Sequence, residues 1–380
     1  MIETTRRAML AGGGLALAAP FAAAAQPRRA GGARAATAEL ARLNRELGIP
    51  AVSAAVVRGG RVVWAQASGL ADLEQARPAS PEDRYRMGST SKVVTAAILM
   101  RLVERGTVAL DAPIGRYRPT LPEQHRATTL RQLAAHLGGV RHYGVRDMSW
   151  PSIDLRNYRT TDDMLAIFVA DPLLKAPGES YNYSTFGFTL IGAVLESASG
   201  RSFPQLIQDE VSGPLALRIE AEIPMNLQAG RISPYVPTGS RYTAMEPRLT
   251  GKVLNAPPVN PTYKWPGGGM IGRASDLALF GATHLAPGYL KAESLRELMT
   301  PLKARDGKVP VPVGVAWRID SDKQGRRRWH HAGAIDGGRS QLVVYPDAGM
   351  AVALMSNLAE NPMDPLPSCA RIGEAFGLPA

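Results

Sequence analysis

Apolar residues cluster near both ends of the chain in runs typical of buried β-strands. Residues 51–69, AVSAAVVRGGRVVWAQASG, contain two β-rich runs joined at Gly59-Gly60, which predicts a β-hairpin. Similar runs return from residue 313 in VGVAWRID, RSQLVVYP and MAVALMSN. These runs predict further strands, and a short helix is expected over roughly 366–376.

The middle of the chain has a different pattern. Between about residues 116 and 264, prolines are frequent and apolar residues recur at helical spacing only in short segments such as TTLRQLAAHLGG and FGFTLIGAVLESASG. Strands at both ends around a helical, loop-rich region predict an α+β fold, an α/β sandwich with helices flanking an antiparallel β-sheet. We expect the sheet, built from both termini, to use about residues 34–115 and 265–380.

The first 25 residues have the order of an export signal. Paired Arg6 and Arg7 precede a weakly apolar Ala/Gly/Leu run and a small-residue segment, which predicts a cleavable signal peptide of the twin-arginine type. An uncleaved anchor is the alternative, but the run is too short and too rich in alanine and glycine to span a bilayer well. We therefore expect a periplasmic or secreted protein without a stable membrane span. A polar linker (26–33) would lead into the helix ATAELARLNREL, and residues 26–380 would form the mature domain.

Charge and cysteine content narrow the function classes. The 380 residues carry a formal charge of +11, so an anionic partner such as nucleic acid has to be considered. The arginines are scattered, and the densest cluster, GRRRWHH (325–331), has only three in a row. We interpret this charge as a solvated surface and expect no nucleic-acid partner. The single cysteine, Cys369, excludes an intrachain disulfide and a cysteine-based metal site, and we expect no metal and no cofactor.

A serine and a lysine stand at the head of an apolar helix in RMGSTSKVVTAAILMRLVERG (86–106). Positions i and i+3 share a helix face, so Ser89 faces Lys92 while Ser91 points away. A hydroxyl at a helix start lies near unpaired backbone N–H groups, which favour developing negative charge. A buried lysine, unlike an arginine, can lose its proton and act as a base toward serine. On this motif alone, a capping serine beside a solvent-directed lysine is an equal alternative.

Two further segments accompany this pair. PGESYNYSTFGFTLIGAVLESASG carries Tyr-Ser-Thr at 183–185 ahead of an apolar helix, and RRWHHAGAIDGGRSQLVVYP carries His-Ala-Gly at 331–333 on a predicted strand. Together the three segments resemble the ordered S-x-x-K, Y-x-N and K-T-G (or H-x-G) elements of the serine β-lactamase and penicillin-binding-protein superfamily. The similarity extends from about residue 38 to about residue 357. YSTFGFTL and YKWPGGGM look closest to bacterial relatives of the mitochondrial serine β-lactamase-like protein, within the class C β-lactamase-related serine hydrolases.

The resemblance implies a role for each matched residue. Ser89 would attack a carbonyl and form an acyl-enzyme, and Lys92 and Tyr183 would exchange protons with the nucleophile and the leaving group. The backbone N–H groups of Ser89 and Ala334 would hold the oxyanion, and Gly333 would let the strand approach the substrate closely. The implied function is an exported serine hydrolase that cleaves ester or peptide-like amide bonds in a small-molecule or peptide substrate.

Two positions depart from the family pattern. Thr185 stands where asparagine is usual and lacks the carboxamide that can both donate and accept hydrogen bonds. For Thr185, packing or capping of the next helix is an equal alternative to a direct role. His331 stands where lysine is frequent and is mostly neutral at pH 7, so we expect activity to depend on His331 ionisation or on alkaline pH. Both departures favour a peptidase or esterase over a true β-lactamase.

Other interpretations stay open at this point. A polymerising scaffold protein that retains the fold, as the mitochondrial relative polymerises, is the alternative from another class and makes a homo-oligomer an assembly to test. GGGMIG (267–272) satisfies G-x-G-x-x-G but lacks the strand before it that a dinucleotide site needs. Adjacent His330 and His331 cannot share a strand face, which argues against a metal pair. We interpret His136 and His142 as structural.

Overall fold

The computed structural model of the chain describes residues 25–148, 153, 156–223, 230–238, 249–250, 253–359 and 364–379. The expected signal peptide falls almost entirely outside these described residues. The linker expected at 26–33 is wrong, because these residues belong to a helix that spans Ala25–Leu47. Gly32 of that helix packs tightly on the chain's last helix, where an added Cβ would come within 2.0 Å of the Ala375 carbonyl oxygen. This long-range packing supports helical turns that the local sequence did not reveal.

An antiparallel sheet of seven strands forms the centre of the described structure. The strands are β1 (Ala51–Arg58), β2 (Arg61–Asp72), β3 (Arg77–Pro78), β4 (Tyr85–Arg86), β5 (Glu220–Ala221), β6 (Tyr235–Pro237), β7 (Leu249–Thr250), β8 (Val253–Asn255), β9 (Met270–Gly272), β10 (Arg318–Ser321), β11 (Arg327–Ile335), β12 (Gly338–Tyr345) and β13 (Met350–Ser356). The central sheet has the order β10-β11-β12-β13-β1-β2-β3, while β4-β9-β5 and β6-β8-β7 form two small sheets. The predicted N-terminal hairpin therefore pairs with the C-terminal strands.

Helices pack on both faces of the central sheet. They are α1 (Ala25–Leu47), α2 (Ser91–Glu104), α3 (Glu123–Arg126), α4 (Leu130–Ala134), α5 (Val145–Met148), α6 (Thr161–Leu165), α7 (Thr185–Ser199), α8 (Phe203–Ile207), α9 (Gly213–Leu215), α10 (Trp265–Gly268), α11 (Ala274–Ala282), α12 (Ala292–Leu298) and α13 (Pro365–Ala375). Helices α1 and α13 cover one face, and α2, α7 and α11 belong to the core on the other. The expected α+β class is confirmed. Within the described ranges, none of these helices is long and apolar enough to cross a bilayer.

Strand β1 shows why the sheet accepts helices on both sides. Ala55 and Val57 contribute to the core that contains α2, α7 and α11, whereas Val52 and Val56 contribute to the core under α1 and α13. Side chains alternate between the two faces of a strand, so a strand that is apolar at nearly every position is buried on both. Its small alanine and valine side chains allow the helices on either side to approach closely.

Two segments differ from the sequence expectation. The run VGVAWRID is a strand only from Arg318, because Ala316 has a φ of 69° and donates its N–H to the Ala134 carbonyl. A residue with positive φ interrupts an extended strand, and the preceding residues form a buried connection instead. The middle region, expected to be helical and loop-rich, also contributes the short strands β5 to β8.

Candidate active site

The serine–lysine pair lies where helix α2 begins. Ser89 belongs to a tight turn, Gly88–Thr90, and Lys92 lies in the first turn of the helix behind it. The Lys92 Nζ lies 3.2 Å from the Ser89 Oγ, as the i, i+3 spacing predicts. Ser91 faces elsewhere and accepts a hydrogen bond from the Met270 N–H. Lys92 is fully buried, so its amine has protein atoms in place of water around it.

The start of helix α7 brings a second set of hydroxyl groups to the same point. The Tyr183 Oη donates a 2.7 Å hydrogen bond to the Ser89 Oγ. Ser184 is the N-cap of the helix, and its Oγ accepts from the Gly187 N–H. Thr185 therefore does not cap the helix, and its Oγ1 lies 3.2 Å from the Lys92 Nζ.

Strand β11 packs directly against the turn that holds the serine. A Cβ on Gly333 would lie 1.9 Å from the Met87 carbonyl oxygen and 2.3 Å from the Ser340 Oγ, so only glycine fits at this position. A Cβ on Gly88 would lie 2.9 Å from the Ala334 backbone nitrogen. The close approach that Gly333 permits is thus between the strand and the turn. It places the backbone of Ala334 beside the residue that precedes the serine.

Burial shifts the pKa values of Lys92 and Tyr183, the two groups beside Ser89, in opposite directions. Burial lowers the pKa of Lys92 well below its ordinary value, and the positive charges of Arg318 and Lys264 lower it further. Burial raises the pKa of Tyr183, although the hydrogen bond with Ser89 and the charge of Arg318 oppose the rise. Burial therefore favours the neutral amine at Lys92 and the protonated phenol at Tyr183.

Burial favours the neutral form of His331, which lies on strand β11. Its side chain is buried, and burial together with the charge of Arg318 lowers its pKa well below 6.5. Its Nδ1 lies 2.7 Å from the Ala332 carbonyl oxygen, so Nδ1 carries the ring proton. The dependence of activity on His331 ionisation stays a prediction, and the structure moves that ionisation to acidic pH.

Four residues near Ser89 were not assigned to the site from the sequence. Lys264 and Arg318 supply the positive charges that act on Lys92. His136 and His142, interpreted as structural, contact the Tyr183 ring and the backbone that follows it. The only hint in the sequence for these four residues is that they lie in segments that follow or precede the matched motifs. Their contacts join parts of the chain that are more than 40 residues apart, and such contacts leave no local periodicity.

The chain resembles known proteins over most of its length. It matches the family model described as Beta-lactamase over residues 22–370. The human mitochondrial serine beta-lactamase-like protein LACTB is 26% identical over 400 aligned residues, which cover 81% of this chain and 71% of that protein. Esterase EstB of Burkholderia gladioli is 32% identical over 191 residues, 46% of this chain and 47% of the esterase. The crystal structure of a D-stereospecific amidohydrolase from Streptomyces sp. has a TM-score of 0.73 at 24% identity, over 90% of this chain and 98% of that chain.

Proposed function

The chain belongs to the beta-lactamase family of serine hydrolases, and we propose that it cleaves ester or peptide-like amide bonds through an acyl-enzyme on Ser89. One observation carries the proposal. The Ser89 Oγ lies between a buried lysine amine at 3.2 Å and a tyrosine hydroxyl at 2.7 Å. These groups can take up the proton of the nucleophile and supply one to the leaving group.

The surroundings of Lys92 suit a general base. A neutral amine has two N–H donors and one lone pair. The Gly267 carbonyl oxygen and the Thr185 Oγ1 are both within hydrogen-bond reach of the Nζ and can accept the two N–H groups. The lone pair is then left for the hydroxyl proton of Ser89. As the Ser89 Oγ bonds to the substrate carbonyl carbon, its proton passes to the Lys92 Nζ.

Tyr183 suits the acid in the second half of the acylation step. Its raised pKa keeps the hydroxyl protonated, so it can donate to the leaving alkoxide or amine as the carbonyl–leaving-group bond breaks. The proton on Lys92 then returns to the phenolate. In deacylation, a water molecule takes the place of the leaving group and attacks the carbonyl carbon of the acyl-enzyme. The products are the carboxylic acid and the free Ser89 hydroxyl.

The backbone around Ser89 suits the oxyanion that forms in both steps. We assign this role to the N–H groups of Ser89 and Ala334, because β11 packs on the Gly88–Thr90 turn. Backbone donors fixed by a helix start and by a packed strand stabilise developing negative charge without reorganising.

Two features favour an esterase or peptidase over a true β-lactamase. The Thr185 hydroxyl is within hydrogen-bond reach of Lys92, and threonine has no carboxamide for a substrate amide. The buried, neutral His331 provides no positive charge for a substrate carboxylate. The similarity to a protein named as an esterase supports the same preference.

Labelling and turnover together test this function. The purified protein is incubated with a fluorophosphonate probe, and its intact mass is measured. We expect one adduct on the wild type and on Ser91→Ala, and none on Ser89→Ala. Rates on a p-nitrophenyl ester, a D-amino-acid amide and a chromogenic cephalosporin then rank the substrate classes, with the cephalosporin slowest. An adduct or undiminished turnover in Ser89→Ala would contradict the proposal.

We propose in addition that the protein is exported through its twin-arginine signal. Supporting this are Arg6 and Arg7 and the small-residue segment after them. N-terminal sequencing of protein from the periplasmic fraction should show cleavage near residue 25. Replacing both arginines by lysine should leave the uncleaved chain in the cytoplasm, and export that survives this change would contradict the twin-arginine route.

A further inference from the structure

Helix α7 begins with two consecutive backbone N–H groups that both donate to histidine rings. The Ser184 N–H donates to the His136 Nδ1 at 3.2 Å, and the Thr185 N–H donates to the His142 Nδ1 at 3.1 Å. The first N–H groups of a helix have no acceptor within the helix. Here the acceptors come from one distant segment, just after helix α4.

The same two rings contact the residue that precedes these amides. The centroids of the His136 and Tyr183 rings are 4.3 Å apart, and those of His142 and Tyr183 are 5.5 Å apart with the planes at 84°. The phenol is therefore held by ring contacts on its side chain and by hydrogen bonds on the backbone immediately after it. Its hydroxyl lies 2.7 Å from the Ser89 Oγ.

Both hydrogen bonds require neutral histidines of one tautomer. A ring nitrogen that accepts from an N–H carries no proton, so the proton must be on Nε2. The His136 Nε2 is buried and has no hydrogen-bond partner among the described residues. The His136 backbone has a φ of 61°, which is uncommon for a residue other than glycine and indicates that the surrounding structure determines this ring position.

We propose that His136 and His142 are positioning residues, a histidine clamp that sets the Tyr183 hydroxyl for proton transfer at Ser89. The proposal rests on the function proposed above, because it concerns the same serine and tyrosine. The clamp does not donate or accept a proton in the reaction. It acts through the position of the phenol, and it works only while both Nδ1 atoms are unprotonated.

The charges around the clamp favour this protonation state. Burial lowers the pKa of His142 to about 4, and the cations Lys264 and Arg141 lower it further while Asp147 raises it. Burial also lowers the pKa of His136 well below 6.5, with further lowering by the charge of Arg318. Arg318 and Lys264, which lower the pKa of Lys92, thus also lower the pKa of His136 and His142, respectively.

A pair of substitutions at His142 separates positioning from general packing. His142→Asn keeps an acceptor oxygen near the Nδ1 position, whereas His142→Leu removes the acceptor. With p-nitrophenyl acetate, we expect His142→Leu to lower kcat about 100-fold with little change in KM, and His142→Asn to recover at least about tenfold of that loss. His136→Asn is the matching change at the other ring, because asparagine tolerates a positive φ.

His284→Leu is the matched control. His284 is also buried and neutral, with a pKa lowered to about 4, but its ring packs on Phe280 and Trp317. We expect this variant to lose stability while its kcat stays near the wild-type value. Equal losses of kcat in His142→Leu and His142→Asn, or an unchanged kcat in His142→Leu, would overturn the clamp.

A spectroscopic measurement tests the clamp without turnover. With ¹⁵N-labelled histidine, NMR of the Ser89→Ala protein should show His136 and His142 as Nε2–H tautomers that stay neutral at about pH 5.5. A proton on Nδ1 of either ring, or titration near the ordinary histidine pKa, would overturn the proposal. If wild type and Ser89→Ala hydrolyse the ester equally, the proposed function fails while this measurement still decides the clamp.

Discussion

Two buried polar regions of this molecule hold their charges in opposite ways. Around Glu222, a buried carboxylate forms ion pairs with two arginine side chains. Around Lys92, the charged groups that act on the amine are the cations Arg318 and Lys264. Both regions are removed from water. Burial is the largest cause of the lowered pKa of both Lys92 and Arg231, and the comparison teaches that an acidic partner opposes this effect while neighbouring cations add to it.

The network around Glu222 is partly satisfied, because the Glu222 Oε2 and the Arg86 Nη2 are buried without a hydrogen-bond partner among the described residues. The Arg86 Nε donates a 2.7 Å hydrogen bond to the Glu222 Oε1, and another Arg86 nitrogen donates to the Asp336 carbonyl oxygen. Arg231 donates to the same carboxylate. Burial and the charge of Arg86 lower the pKa of Arg231 to about 10, yet it remains protonated at neutral pH. A buried cation with an acidic partner thus becomes a structural element.

The two regions are joined through helix α10. The Trp265 Nε1 donates a 2.7 Å hydrogen bond to the Glu222 carbonyl oxygen at the start of this helix. Two residues later, the Gly267 carbonyl oxygen accepts a hydrogen bond from the Lys92 amine. The residue that carries the paired carboxylate, Glu222, therefore helps to hold a hydrogen-bond acceptor of the Lys92 amine.

Replacing Lys92 by arginine is the change from which we expect the largest loss of activity. The guanidinium stays protonated when buried, so it cannot take the proton of Ser89. We expect Lys92→Arg to lower kcat/KM for a p-nitrophenyl ester by at least about 1000-fold. Lys303→Arg, at an exposed position, is the control and should be silent. Retention of a tenth or more of the wild-type rate in Lys92→Arg would show that a neutral amine is not needed.

Replacing Glu222 by glutamine makes the Glu222 region resemble the Lys92 region, because it removes the buried carboxylate. Two arginine side chains would then lie buried beside each other without a carboxylate, and losing one partner of a buried pair costs about 3–5 kcal/mol of unfolding free energy. Urea unfolding measures this loss. Glu293→Gln is the control, since the Glu293–Arg296 pair is exposed and solvent screens its charges. Equal losses in the two variants would show that the buried network has no special weight.

We expect acid to lower the unfolding free energy, because the buried histidines resist protonation in the folded state. All six histidines have a lowered pKa with burial as the largest cause: His125, His136, His142, His284, His330 and His331. The unfolded chain binds protons as pH falls through 6.5, whereas the folded His284 does so only near pH 4. The contribution of this histidine to the unfolding free energy is therefore complete above pH 6.5, and it declines as the pH falls from 6.5 toward 4.

A single histidine gives the smallest of these effects. Between about pH 6.5 and 5.5 each such histidine should remove about 1 kcal/mol of stability. We expect His284→Leu, although less stable at neutral pH, to lose about 1 kcal/mol less than the wild type over this interval. Urea unfolding at the two pH values measures the difference. A pH slope identical to that of the wild type would mean that His284 does not titrate between the folded and unfolded states.

The sequence by itself determined the parts of this protein that depend on neighbouring residues. Apolar patterning identified the N-terminal hairpin, the strands near the C-terminus and helix α2, because strand and helix periods are properties of the local chain. The i, i+3 spacing placed Ser89 beside Lys92 for the same reason. Where long-range packing overrides the local pattern, the predictions failed, as at 26–33 and before Arg318.

Only the tertiary structure decided how the remaining groups meet. The contact of Tyr183 with Ser89 joins residues 94 positions apart. The support of Tyr183 by His136 and His142 likewise depends on how distant segments pack. The protonation state of Lys92 is set by burial and by cations from other elements. A pKa depends on every charge and every lost water around the group, and that environment exists only once the chain has folded.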